Sequence, residues 1–216
     1  MNKEIKVIIA DDHPIFREGL KHIIESAGIK VLAQGSNGEE ALFLINEHKP
    51  EIAVLDIEMP VRGGLDVLAE IKSKKNKPKA ILLTVHKNEG IFNKAMDLGA
   101  HGYILKENAS SDLINCINAV SREEYYISPG ISNLLMNRNK KREEFEEKHP
   151  EISSLSRVER QILKMVADLK SSKEIADDLF VSFRTVEKHR ENISHKLNIH
   201  GSNALLKFAI DNKSSI

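Results

Sequence analysis

Short apolar runs alternate with amphipathic stretches through the first 122 residues. The run at 5–10, IKVIIA, is rich in β-branched residues, which suit a strand buried on both faces. Residues 14–27 then set Phe16, Leu20, Ile23 and Ile24 at helical spacing. Pro14 fits the first turn of that helix, because its missing N–H would be unpaired there anyway. A second strand is expected at 31–36, and Asn37 is placed to cap a helix carrying Ala41, Leu42, Leu44 and Ile45. Strands at 52–55, 80–84 and 103–105 alternate with helices around 65–71, 90–98 and 111–122. Five β-α units in series predict an α/β domain, a five-stranded parallel sheet with helices on both faces. Sites in such sheets form in the crevice beyond the carboxyl ends of the strands, so the residues just after each strand carry the interest.

The pattern changes after residue 122. The run NRNKKREEFEEKHPE is charged and nearly free of aliphatics, so 123–150 reads as a solvated linker, helical in part. Beyond it there is no strand-like alternation and no internal repeat. Ser156 and Glu159 have capping-box spacing, followed by Ile162, Leu163, Val166 and Leu169 on one face. The stretch 172–179 carries Ile175, Ala176 and Leu179. Ser182 is placed to cap a helix over 183–197, with Val186, Ile193 and Leu197 inward and Arg184, Lys188, Arg190, Asn192 and Lys196 on its polar face. Two short helices joined by a tight turn, the second one basic, form the helix-turn-helix pattern, whose second helix lies in the DNA major groove. Periodicity alone fits a helical protein-interaction module equally well.

Composition narrows this only in part. The 216 residues are 41% hydrophobic, enough for packed cores. Lys+Arg and Asp+Glu both number 32, so the global charge points to no partner. Residues 151–216 hold 11 basic against 9 acidic side chains, a mild excess on the side where DNA is expected. The single cysteine, Cys116, excludes an intrachain disulfide and sits in an apolar helical pattern, where packing is the expected role. No apolar run approaches the roughly 18 residues of a membrane span, and the N-terminal run is too short for a secretory signal. A cytoplasmic protein without a membrane partner is expected.

The strand ends carry candidate chemistry. Asp11 and Asp12 follow the first strand, Asp56 the third, Thr84 the fourth and Lys106 the fifth. A lone Asp at a strand end is usually a cap or turn residue. Five such residues at successive strand ends point instead to convergence. Three close carboxylates repel one another, which a divalent cation relieves. Their oxygens favour Mg²⁺, which often shares its shell with phosphate. A carboxylate can also attack phosphorus to give an aspartyl phosphate, with Lys106 neutralising the phosphoryl oxygens and the Thr84 hydroxyl donating to one. His13 and His86 lie nearby and read as loop or capping residues.

The runs IIADDH, VLDIEMPVRGGLDVL, ILLTVHKN and GYILK together resemble a response-regulator receiver domain over about residues 3–122. The resemblance implies a flavodoxin-like, doubly wound sheet. It implies that Asp56 is the phospho-acceptor and that Asp11, Asp12, Asp56 and the backbone carbonyl of Glu58 hold Mg²⁺. It further implies that Lys106 contacts the phosphoryl group, that Thr84 follows it inward, and that Tyr103 is the aromatic switch. Bottom-up, Tyr103 reads equally as a half-buried edge aromatic. Met59 and Pro60 fit the loop after the acceptor, and Gly63 and Gly64 are expected to loosen the chain before the third helix.

LSRVERQILKMVA and KEIADDLFVSFRTVEKHRENISHKL resemble the LuxR-type DNA-binding domain over about 151–213, an all-α unit of four helices. The resemblance makes 172–179 the supporting helix and 183–197 the recognition helix. Lys188 is the candidate for a base or phosphate contact and Arg184 and Thr185 for backbone contacts. His189, Arg190 and Lys196 complete the expected DNA-binding set, with an inward-facing His189 left open. Two positions depart from the family pattern: Leu169 stands where a glycine is common, and Glu187 where a basic residue is. The implied function is a two-component response regulator, phosphorylated on Asp56 by a sensor histidine kinase and binding double-stranded DNA as a phosphorylation-dependent homodimer, not an enzyme. A phosphohydrolase is the alternative, since Asp56-Ile57-Glu58 is similar to an Asp-x-Asp nucleophile pair. A receiver with only a structural role is a third reading. Phosphoester turnover and phosphodonor-dependent DNA affinity discriminate among these.

Overall fold

The computed structural model describes residues 4–72, 74, 76–201, 203–213 and 216. It divides into two compact units, Met1–Leu135 and Met136–Ile216. In the first, β1 (Lys6–Ala10), β2 (Lys30–Gly35), β3 (Ile52–Asp56), β4 (Lys79–Thr84), β5 (Gly102–Leu105) and β6 (Tyr126–Ile127) form one parallel sheet in the order β2-β1-β3-β4-β5-β6. The connecting helices are α1 (Pro14–Ser26), α2 (Gly38–His48), α3 (Gly64–Ile71), α4 (Glu89–Leu98) and α5 (Ala109–Ser121).

Alternation along the strands divides the apolar residues between two cores. Ile8, Ala10, Ala53, Leu55, Leu82, Tyr103 and Leu105 face α2, α3 and α4, while Val7, Ile9, Val54, Ile81, Leu83 and Ile104 face α1 and α5. Burial on both faces explains why these strands read as continuous apolar runs rather than alternating ones. Cys116 is fully buried in the second of these cores, as its apolar pattern predicted. The chain leaves β1 for β2 at one side, then returns across β1 to β3, so the crevice at the carboxyl ends opens between β1 and β3. Pro14 opens α1, and the Asn37 side chain accepts from the Glu40 amide at 2.9 Å at the start of α2.

The expected strand count needs correction, and the partly helical linker gains detail. The sheet has six strands, not five: Tyr126–Ile127 pairs with Gly102 and Tyr103, and two residues are too few to leave a periodic signal. The expected linker 123–150 also carries a 3-10 turn at Pro129–Ile131 and α6 (Ser132–Lys148). Ile131 and Leu134 are buried in the first unit's core, and Phe145 in the second's. The charged middle of α6 is laced by ion pairs, Lys140–Glu144 at 3.8 Å and Arg142–Glu146 at 3.1 Å. Ser128, just after β6, is stitched to β5. Its amide donates to the Tyr103 carbonyl at 3.0 Å, its hydroxyl accepts from the Leu105 amide at 3.4 Å, and that hydroxyl donates to the buried Asp112 carboxylate of α5.

Gly63 and Gly64 serve space rather than flexibility. A Cβ on Gly64 would strike the Asp56 carbonyl oxygen, and one on Gly63 the Ile57 carbonyl. Neither has a positive φ.

The second unit packs α7 (Arg157–Ala167), α8 (Ser172–Leu179), α9 (Phe183–Lys196) and α10 (Ala204–Asp211) around Ile162, Leu163, Val166, Ile175, Val186, Ile193, Leu205 and Ala209. Ser156 and Glu159 form the expected capping box, Ser171 and Glu174 a second one, and Ser182 caps α9. The helix ends are unusual. Leu169 adopts φ 63, with its amide on Val166 O at 2.9 Å and that of Lys170 on Met165 O at 3.1 Å. That is a Schellman closure with leucine in the left-handed place glycine normally takes. Phe180 closes α8 in the same way at φ 53 and is 95% exposed. Leucine thus makes this turn without the glycine that is common there. Among the described residues no helix is long and apolar enough to cross a membrane.

Candidate functional site

The strand ends bring four of the expected residues together. Asp11 directly follows β1 and is fully buried, Asp56 ends β3 at 2% exposure, and Lys106 follows β5. Lys106 Nζ bridges the two acids, 2.7 Å from Asp11 Oδ2 and 2.8 Å from Asp56 Oδ2, and lies 5.0 Å over the Phe16 ring. Asp12 is half-buried beside them. Burial pushes the Asp56 carboxyl up to about 6; Lys106 pulls against this, and the neighbouring Asp11 charge adds to it. Burial opposes the Lys106 charge, but Asp11 and Asp56 outweigh it and hold the ammonium above the usual lysine range. The Glu58 amide donates to the Asp56 carboxylate, while the Glu58 side chain meets His86 Nε2 at 3.2 Å.

Thr84 ends β4 and is buried, and its hydroxyl oxygen accepts from the His86 amide at 3.0 Å. Tyr103 is fully buried, with its ring edge-on to Phe92 of α4 at 5.2 Å between centroids. The half-buried edge position does not apply, because β6 pairs with β5 outside it. Burial pushes its phenol up to about 12, with the Thr84 side chain alongside.

The donor set fits a hard divalent cation. Asp11 Oδ2 and Asp56 Oδ2 share the Lys106 ammonium as their one cation, Asp12 Oδ1 lies beside them, and carboxylate oxygens are the ligands Mg²⁺ takes. Ligand atoms of Asp11, Asp12, Asp56 and His13 all lie within 4.8 Å of one another. His13, which reads from its sequence position as a loop or capping residue, is therefore part of the cluster. Its only advance signal was adjacency to the acidic pair.

In the second unit, Arg184, Thr185, Lys188 and His189 share one open groove on α9 with Ser182, Glu187 and Glu191. Arg184 and Lys188 are exposed, and Lys188 Nζ is 3.0 Å from Glu191. The Thr185 amide donates to the Ser182 hydroxyl at 3.1 Å, which fixes the start of the helix. His189 is half-buried with its Nδ1 enclosed, in line with an inward lean, and Arg190 is half-buried near Glu187 at 3.9 Å. Lys196 departs from the expected set. Its ammonium pairs with buried Glu159 at 2.7 Å and donates to the Ser154 carbonyl at 3.1 Å, because its position beside core Leu197 turns the long stem toward α7. Glu187 is engaged too: it accepts from the Ser172 hydroxyl at the start of α8.

Residues 7–118 match the model of the response regulator receiver domain, and residues 153–209 that of the bacterial regulatory proteins of the luxR family. The chain is 32% identical over 213 residues to the oxygen regulatory protein NreC of Staphylococcus carnosus, covering 97% of this chain and 98% of that one. A solved complex of the two-component response regulator RcsB with DNA superposes with TM-score 0.59 at 25% identity, covering 99% of this chain and 100% of that one. A further structure holds two RcsB dimers bound to two parallel DNAs, with TM-score 0.57, 25% identity and the same coverage.

Proposed function

The chain belongs to the LuxR-type response regulators of the NarL/FixJ kind, transcription regulators with a receiver and a helix-turn-helix DNA-binding domain, and from that premise we propose that phosphorylation of Asp56 by a sensor histidine kinase governs sequence-specific DNA binding through α9. The observation that carries this is the Asp56 carboxylate itself, buried at a strand end with Lys106 at 2.8 Å and Asp11 alongside.

In the proposed step an Asp56 oxygen attacks the phosphorus of the kinase phosphohistidine. The P–N bond breaks, an acyl phosphate forms, and the leaving imidazole nitrogen takes up a proton. The nucleophile is the carboxylate form, which dominates above its pKa of about 6. A Mg²⁺ held by Asp11, Asp12, Asp56 and the Glu58 carbonyl would supply positive charge to the phosphoryl oxygens. Lys106, freed from Asp56, pairs with one of those oxygens, and the Thr84 hydroxyl turns to donate to another. Since Tyr103 is already enclosed, the residues left to respond are Thr84 and Lys106 at the ends of β4 and β5. We assign this role to 3–122 and the DNA contacts to Arg184, Thr185, Lys188, His189 and Arg190 within 151–213. A phosphorylation-dependent dimer, by analogy with the RcsB–DNA assemblies, would engage two half-sites. The protein so described regulates transcription in the cytoplasm and turns over no substrate of its own.

The test is labelling by acetyl phosphate. Wild type takes up one phosphoryl group and binds DNA more tightly for it, and Asp56→Asn does neither. Persistent labelling of the variant sinks the assignment.

A further inference from the structure

We propose that Asp112 and Ser128 are positioning residues for phosphoryl transfer at Asp56. Asp112 orients the Ser128 hydroxyl, and that hydroxyl sets the last peptide of β5, from which Lys106 extends. This rests on the reading of Asp56 as the phospho-acceptor and adds two residues that act through Lys106.

The backbone creates the need for the pair. A parallel ladder at this place would run one rung from the Ser128 amide to the Tyr103 carbonyl and the next from the Leu105 amide to the Ser128 carbonyl. The first rung is made, at 3.0 Å. At the second, Pro129 takes the chain into its 3-10 turn, and the Ser128 carbonyl accepts from the Ile131 amide at 3.0 Å instead. The Leu105 amide, in a buried residue, would then lack a partner, which is costly inside a sheet. It meets the Ser128 hydroxyl at 3.4 Å. A side chain thus supplies the rung that the turning backbone withdraws.

Asp112 decides which way that hydroxyl points. A hydroxyl has one proton, and it accepts from an amide only when the proton is directed elsewhere. The fully enclosed Ser128 hydroxyl donates to Asp112 Oδ2, so a lone pair is left facing Leu105. The second carboxylate oxygen serves the other side of the same strand end. The Ser111 hydroxyl lies 3.1 Å from Asp112 Oδ1 and 2.9 Å from the Asn108 carbonyl, at the close of the 3-10 turn Lys106–Asn108. Through one serine on each side, a single buried carboxylate thus meets the residue before Lys106 and the turn that Lys106 opens. Lys106 depends on this because its stem is flexible and the backbone sets where the stem begins. Its ammonium must bridge Asp11 and Asp56 at 2.7 and 2.8 Å before transfer and then reach a phosphoryl oxygen. Electrostatic help of this kind is lost with small displacements.

The experiment follows labelling of the full chain by acetyl phosphate with Mg²⁺, in variants first shown to be folded by tyrosine fluorescence. Ser128→Ala and Asp112→Ala should each lower the maximal labelling rate about tenfold, as misplaced groups do, and change the half-saturating acetyl phosphate far less. Where alanine at 128 does not fold, Ser128→Cys, close in shape and a weak acceptor, takes its place. Asp112→Asn can still accept from Ser128 and turn its amide toward Ser111, so it should stay within about twofold of wild type. A tenfold loss in Asp112→Asn would overturn the proposal in favour of a charge effect. The decisive comparison is made in Lys106→Ala, where Ser128→Ala should cost less than about twofold, because a residue acting through Lys106 has nothing left to act on. Equal losses with and without Lys106, or wild-type rates in both alanine variants, overturn the positioning role. Nuclear magnetic resonance reads the same link without labelling: Ser128→Ala should speed amide exchange at Leu105 and shift the ¹⁵N signal of the Lys106 ammonium. An unmoved ammonium signal overturns the proposal whatever the phospho-acceptor is, whereas labelling that persists in Asp56→Asn overturns the acceptor reading alone.

Discussion

Asp56 is costly to bury, and the cost can be measured. Its carboxyl stands at about 6 in the folded chain against 3.8 for the free group. Each unit is worth about 1.36 kcal/mol, so the ionised side chain costs at most about 3 kcal/mol, and somewhat less where water and salt reach the crevice. The sign follows from proton release. Below 3.8 both states carry the proton and the cost is absent. As the pH rises through 3.8 the unfolded chain ionises first and gains, and the deficit is complete once the folded group has titrated near 6. Asp56→Asn, which keeps the shape without the charge, should therefore be about 1–3 kcal/mol more stable than wild type at pH about 7.5 in EDTA, with the advantage fading toward pH about 4. The three tyrosines all fall within the first 135 residues and there is no tryptophan, so tyrosine fluorescence during urea unfolding reports on that unit alone. Millimolar Mg²⁺ should shrink the gap, because a bound cation stabilises the carboxylate only in wild type. A variant no more stable than wild type at neutral pH, or an advantage that does not change with pH, would refute the reasoning.

Other consequences are open to direct measurement. Leu169→Gly should stabilise the second unit by about 0.5–1 kcal/mol in thermal melts, since the left-handed penalty of about 1–2 kcal/mol exceeds the flexibility glycine adds; a lower melting temperature would count against the Schellman assignment. Lys188→Ala should reduce the slope of log affinity against log salt by about 0.9 for each phosphate that the lysine neutralises. Lys196→Met should leave that slope unchanged and instead destabilise the second unit by about 1–3 kcal/mol, because buried Glu159 keeps its Ser156 bonds but loses its counter-charge; the reverse outcome would return Lys196 to the DNA face. Gly64→Ala should cost about 1–3 kcal/mol and slow labelling of Asp56, because the added methyl presses on that residue's own carbonyl. Wild-type labelling rates in that variant would show that the loop yields freely.

Much of this was legible from position alone. Buried strands announced themselves as aliphatic runs, and the end of each run pointed to Asp11, Asp56, Thr84 and Lys106. Caps at Asn37, Ser156 and Ser182 were readable because capping is local chemistry. What escaped the sequence was non-local. The pairing of Tyr126–Ile127 with β5 involves two residues that show no period of their own. That strand also removes β5 from the edge of the sheet. The partner of Lys196 lies 37 positions away, on another helix. The tolerance of Leu169 and Phe180 for a left-handed backbone, too, is imposed by the two helix-closing bonds around each rather than by the residue's preference.

The stitching of Ser128 has a mechanical meaning. This residue is the first after β6, and α6 begins four positions later. Its bonds reach the backbone of Tyr103 and Leu105, the second of which immediately precedes Lys106. The root of α6 and the lysine facing Asp56 are thus fastened to one short strand, and neither can travel without straining the other's attachment. A pull on that lysine is a pull on the root, relayed by the Ser128 hydroxyl on the Leu105 amide.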